Sequence, residues 1–200
     1  MSDSASRRII ARVAARLALH SGLPPLILFT DDERLPDPLA AAKALPRGSV
    51  VIVRARDPMR RRALGLGLRD VARARGLFLL IAGDAALALK LGADGVHLSE
   101  RRISEAAALR ARYPLVVTAA AHSLAALCRA EWVDVLILSA VLPTASHPGR
   151  AALGVARANL MARQMPKPVY ALGGITAKNA GRIAGFCGIA AIGALAAEKG

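Results

Sequence analysis

Eight short apolar runs recur along the 200-residue chain, spaced by about 20–25 residues, and they constrain the fold more than any other feature. They are "LILFT" (26–30), "SVVIVRA" (49–55), "LFLLIA" (77–82), "GVHL" (95–98), "LVVTA" (115–119), "VDVLILS" (133–139), "PVYAL" (168–172) and "GIAAIG" (188–193). Several are continuous rather than alternating, the pattern of strands covered on both faces. Helical stretches fill the gaps. "DPLAAAKALP" has Pro38 near its start and Pro46 past its end, and "DPMRRRALGLGLRDVARARG" runs to Gly76. "DAALALKLG" ends on Gly92, "SEAAALRARY" starts from Ser104 as N-cap, and "SLAALCRA" starts from Ser123. "VARANLMARQ" and "TAKNAGRIAG" follow, and "ALAAEKG" is a stub. Strands alternating with helices predict parallel βαβ units with right-handed crossovers, and eight of them close a (β/α)8 TIM barrel. A doubly wound open sheet would want a glycine-rich loop after the first strand, and "LFTDDERLP" is not one. The expectation is therefore a single α/β barrel domain over residues 1–200. Residues 1–22 form an N-terminal helical extension whose inner face carries Ile9, Ile10, Val13 and Leu17.

Composition narrows the class. Apolar residues make up 54% and charged residues 21%, which excludes intrinsic disorder. Aromatics are only 3%, so the core is built from Ala, Leu, Val and Ile. No apolar run approaches the roughly 18 residues of a membrane span. The basic N-terminal stretch lacks the continuous apolar segment of a secretory signal. Two cysteines, Cys128 and Cys187, supply neither a disulfide framework nor a metal cluster, and a reducing cytoplasm is the expected location. The net charge of +14 raises nucleic acid as a partner, but most of the 28 basic residues are arginines spread over the helices. No aromatic-basic interleaving accompanies even the Arg60-Arg61-Arg62 patch. They read as solvated helix faces, with nucleic acid disfavoured as a partner. The positive field would still draw in phosphorylated small molecules.

In such a barrel the chemistry lies at the carboxyl ends of the strands, and phosphates sit after the seventh and eighth. Gly173 and Gly174 follow the seventh strand in "YALGGITAKN", with Thr176 able to cap a following helix whose amides attract an anion. Gly193 and Ala194 occupy the matching place after the eighth. These four residues are the expected phosphate clamp, against the alternative of mere tight turns. The sixth strand runs into "PTASHPGR", a loop offering Thr144, Ser146, His147 and Arg150. His122 follows the fifth strand at the barrel mouth, either as a general acid or base or as a hydrogen-bonded structural group. His97, inside the fourth strand, reads as structural.

The order of "VIVRAR", "GDAALALKLGADGVHLS", "AAHS", "LPTASHP" and "ALGGITAKN" resembles the thiamine-phosphate synthase/TenI family, from about Leu26 to Ala194. The resemblance implies a (β/α)8 barrel that binds a phosphorylated thiazole or thiamine phosphate. Synthases of this family join an aminomethylpyrimidine pyrophosphate to a thiazole phosphate with Mg²⁺ assisting the departure of pyrophosphate. By that likeness Arg54, Arg56, Thr144 and Ser146 would hold the pyrophosphate, with His147 in the place of a lysine, and Asp84 would bind metal. The departures are specific. Ile52 replaces a glutamine, Gly83 an asparagine, and Arg102 stands where a second metal carboxylate belongs. Some TenI-like relatives are thiazole tautomerases that move a proton with a histidine of the fifth strand, matched here by His122. The leading expectation is thus a TenI-like barrel, a tautomerase or degenerate synthase, working without a cofactor. An active synthase using Mg²⁺ and a non-catalytic ligand-binding protein are the alternatives. The likeness also admits a homodimer.

Overall fold

The computed structural model describes residues 3–19, 21–144 and 151–196. Each apolar run is a strand: β1 (Leu26–Phe29), β2 (Val50–Val53), β3 (Phe78–Ala82), β4 (Gly95–Leu98), β5 (Val116–Ala121), β6 (Val135–Leu138), β7 (Val169–Leu172) and β8 (Gly188–Ala191). Every strand pairs in parallel with its sequence neighbours, and β1 pairs with β8 from Leu26 opposite Ile189 to Leu28 opposite Ala191. The sheet is a closed barrel, as the eightfold recurrence predicts.

Alternation inside each strand divides the core in two. Ile27, Phe29, Val50, Ile52, Leu80, Ile137, Tyr170 and Ala190 form the cluster within the barrel. Their neighbours Leu26, Leu28, Val51, Val53, Leu79, Ile81, Leu136 and Ile189 belong to the larger cluster beneath the helices. Both faces are dry, which is why the runs read as continuous. Tyr170 crosses the interior, donating its hydroxyl to the Pro24 carbonyl at 2.5 Å. Burial pushes that phenol far above its ordinary value and the neighbouring Cys187 thiol up to about 12. Gly188 is bare for this reason, since a Cβ there would lie 2.6 Å from the Tyr170 ring.

The helices are α1 (Asp3–Ala18), α2 (Pro38–Lys43), α3 (Pro58–Arg75), α4 (Ala85–Leu91), α5 (Ala106–Arg112), α6 (Leu124–Cys128) and α7 (Val155–Gln164). Side chains of Asp37, Asp57, Asp84 and Ser123 accept from the first-turn amides of α2, α3, α4 and α6. Gly76 and Gly92 close α3 and α4 in the left-handed conformation. Ser104 does not cap α5. That helix is entered from a 3₁₀ segment, Glu100–Glu105, in which Ser104 lies. The stretch "TAKNAGRIAG" forms only a 3₁₀ turn at Ala180–Arg182 in place of a helix. After β8 there is another, Gly193–Leu195. Where an eighth helix would lie, α1 packs against β8, β1 and both 3₁₀ turns. Its buried stripe runs through Ile10, Ala14 and Ala18, while Ile9, Val13 and Leu17 are half-buried. The small alanines let the helix lie close to the sheet.

Candidate active site

The carboxyl ends of the strands surround a cavity of about 370 Å³. Its floor is apolar: Phe29, Ala82, Ala120, Ile137 and Leu172 come from five strands, and Ile192 from the residue after β8. Alanines at 82 and 120 leave the width for a flat ring. His97 also lines it, 6% exposed, with its ring edge-on to Phe29 at 5.0 Å and Nδ1 2.9 Å from the Thr118 hydroxyl. Burial, helped by the positive charge of Arg54, brings the His97 pKa down to about 3, so the imidazole is neutral.

A second cavity, about 470 Å³, adjoins the first over the ends of β7 and β8, sharing Arg34, Thr144, Leu172, Gly173 and Ile192 with it. All four residues of the expected phosphate clamp, Gly173, Gly174, Gly193 and Ala194, line this space. Gly173 and Gly174 have φ of +101° and +67°. A Cβ on Gly174 would come within 2.3 Å of the Pro143 carbonyl, so the β6 and β7 loops touch backbone to backbone. Among the described residues, the amides of Gly174, Ile175, Gly193 and Ala194 have no acceptor. Thr176 does not cap a helix. Asn179 closes the turn, its Oδ1 accepting from the Thr176 amide and its Nδ2 donating to the Gly174 carbonyl. Any anion here would be met by bare loop amides rather than by a helix terminus.

Across the mouth the rim is made of side chains. Arg34, Arg54, Arg61 and Arg102 line the first cavity, with Glu100 among them. Asp31 anchors two of them, accepting from Arg34 at 2.6 Å and Arg54 at 2.5 Å. Burial works to raise the Asp31 pKa, but hydrogen bonds from Arg34 and the neighbouring amides outweigh it and hold the carboxyl well below its usual range. Arg61 reaches back from α3 to the Ala55 carbonyl, Nη2 at 2.9 Å. Arg56, expected beside Arg54, does not line the cavity: its side chain is 92% exposed, 3.9 Å from Glu33. Arg61, read in sequence as part of a solvated patch, lines the cavity instead, from the start of α3.

His122 does line the cavity. Its amide donates to Glu100 Oε2 at 2.7 Å, and its Nδ1 lies 2.8 Å from the Ser139 carbonyl and 3.0 Å from the Ser139 hydroxyl. A carbonyl can only accept, so the neutral ring carries its proton on Nδ1 and keeps the Nε2 lone pair. Ser139 closes the sixth apolar run and Glu100 follows the fourth. Neither carries a signal in the sequence beyond its position at a strand end. Of the expected loop residues Thr144 lines both cavities, while Ser146, His147 and Arg150 lie outside the described residues.

The acids do not fit a divalent ion. Asp84 is turned to its own helix, Oδ1 accepting from the Leu87 amide at 2.8 Å, and is absent from the cavity wall. Beside it Arg102 donates to the Gly83 carbonyl at 2.8 Å and, through Nε and Nη2, to both oxygens of Glu105 at 2.7 Å. Among the described residues no group of three or more His, Cys, Asp or Glu is placed to hold a metal. A hard cation wants an oxygen cage, and here a guanidinium occupies the neighbourhood.

A family model described as thiamine monophosphate synthase matches residues 26–195. A thiamine-phosphate synthase of Thermus thermophilus is 38% identical over 143 residues, 68% of this chain and 69% of the relative. That of Thiobacillus denitrificans is 33% identical over 158 residues, 75% and 74%. Among solved structures, a thiamine phosphate pyrophosphorylase from Pyrococcus furiosus superposes with a TM-score of 0.75 at 28% identity, covering 90% of this chain and 91% of the other.

Proposed function

Since the chain belongs to the thiamine monophosphate synthase family, we propose that it binds a phosphorylated thiazole and moves a proton on that ring, with His122 as the base. The observation that carries this reading is the pair of contacts to Ser139, which commits Nδ1 and leaves Nε2 as the lone pair of a cavity-lining imidazole. The phosphate would lie against the amides of the β7 and β8 bends, and the thiazole over the apolar floor, which excludes water. Nε2 then takes a proton from one ring atom, and the imidazolium returns it to another. Glu100 and Ser139 hold the histidine still from the amide and from Nδ1, so little reorganises during transfer. Thiamine biosynthesis is the setting the family gives; the tautomerase chemistry is our reading.

The test follows solvent-deuterium incorporation into a thiazole carboxylate phosphate. His122→Ala should abolish exchange while the affinity for the ligand stays within about threefold, because the imidazole contributes to the barrier and not to phosphate binding. Parallel loss of both would refute the assignment. The relatives named as synthases support a second reading, condensation of the thiazole phosphate with an aminomethylpyrimidine pyrophosphate. Thiamine phosphate formed from the two precursors would establish it.

A further inference from the structure

We infer that Arg102 is a resident organic cation: it binds a second anionic group of the ligand directly, at a place where the acids among the described residues do not fit a divalent metal ion. The inference rests on the reading above only in taking the ligand to be phosphorylated at the β7–β8 bends. A guanidinium has five N–H groups. Three of Arg102's are committed, two to Glu105 and one to Gly83, and these contacts fix the plane of the group. The remaining two have no acceptor among the described residues, on a side chain that lines the cavity and is 43% exposed. A held guanidinium with one spare N–H on each of Nη1 and Nη2 can donate to the oxygens of a carboxylate or a phosphate.

Its surroundings agree. Arg61 is pinned through Nε and Nη2 to the Ala55 carbonyl and lines the same wall, leaving Nη1 without an acceptor among the described residues. Arg54 stands beside it, tied to Asp31. The opposing charge on this wall is Glu100, which is occupied by the His122 amide and lies 3.9 Å from Arg129. In the ring of eight strands, β3 lies opposite β7. The guanidinium wall and the bare amides therefore face each other across the mouth, and a ligand bearing an anion at each end would span it. Of the other acids around Arg102, Asp84 Oδ1 accepts from the Leu87 amide and Glu105 holds the guanidinium through both oxygens.

Inorganic pyrophosphate is the probe, titrated calorimetrically into the full chain. Binding in EDTA should be as tight as in millimolar Mg²⁺. Arg102→Gln should weaken it about tenfold, as expected for loss of a charge-assisted pair. Arg69→Gln, which removes an equal charge paired with Asp70 on the outer helix, should leave the affinity unchanged. Should Arg102→Gln fail to fold, Arg102→Lys keeps the charge but removes the guanidinium, and should still weaken binding in EDTA. Any of three results would overturn the inference: binding that requires Mg²⁺, an Arg102 variant that binds as the parent does, or equal losses at Arg69 and Arg102. None of these readouts depends on proton transfer at His122, so failure here leaves the tautomerase reading standing, and the converse holds too.

Discussion

The two halves of the barrel mouth present hydrogen-bond donors by opposite means. On the β7–β8 side the donors are mainly main-chain amides, with the Arg34 side chain lining the same cavity. On the β2–β4 side they are guanidinium groups, each pinned by a carboxylate or a backbone carbonyl. The first arrangement is a property of the fold: backbone amides cannot be mutated away, and glycines at 173 and 174 are dictated by φ and by contact with the β6 loop. The second is a property of particular side chains and can be rewritten one residue at a time. Under the proposed function, this difference would let one barrel keep a phosphate pocket while the chemistry opposite changes.

Breaking the comparison at its backbone side should have the largest effect. Gly174→Ala forces a Cβ to within 2.3 Å of the Pro143 carbonyl at a φ of +67°, and should cost about 3 kcal/mol or more of stability, read by urea denaturation, along with phosphate binding. Comparable in size is the effect of the histidine in the cavity floor. His97 is neutral in the fold with a pKa near 3 against an ordinary 6.5. The unfolded chain therefore binds a proton over that interval and the folded one does not. Stability should fall on acidification from pH 6.5 towards 3 by about 1.4 kcal/mol per pH unit from this group alone. His97→Asn should remove that slope, and an unchanged slope would mean that the ring is protonated in place.

On the side-chain half, Asp31→Asn strips the anchor from Arg34 and Arg54 and should cost about 2 kcal/mol in a denaturation midpoint. Because its folded pKa lies below the ordinary 3.8, the Asp31 contribution is complete above that pH. It is lost progressively as pH falls below it, and the Asn variant should lack this component. The smallest effect sharpens the contrast between neighbours. Arg56→Gln should change pyrophosphate affinity by less than about twofold, since a charge this exposed is screened by water, whereas Arg61→Gln should weaken it several-fold.

The barrel was legible because burial on both strand faces leaves uninterrupted apolar runs, and the helix caps because Asp and Ser announce them. The bend after β7 was legible for a similar reason: two successive glycines at a strand end announce backbone at positive φ. What escaped was geometry set by tertiary contact. Nothing in "ISEAAALRARY" tells that a 3₁₀ segment feeds α5, and nothing in "TAKNAGRIAG" tells that α1 already occupies the outer face of β8. The resemblance favoured Arg56 over Arg61, and only the packing of α3 decides that Arg61 is the one lining the cavity. The guanidinium at position 102 could be read as a departure from a resemblance, but its grip on Glu105 could not.

The placement of α1 against β8 also couples the two ends of the described chain. The shelter for the last strand comes from the opposite end of the described chain, so covering the outer face of β8 joins elements far apart in sequence. The same clasp, with Arg7 donating to the Ala196 carbonyl at 2.8 Å, ties damage at one terminus to the other: trimming the leading helix would open the barrel at its farthest point in sequence.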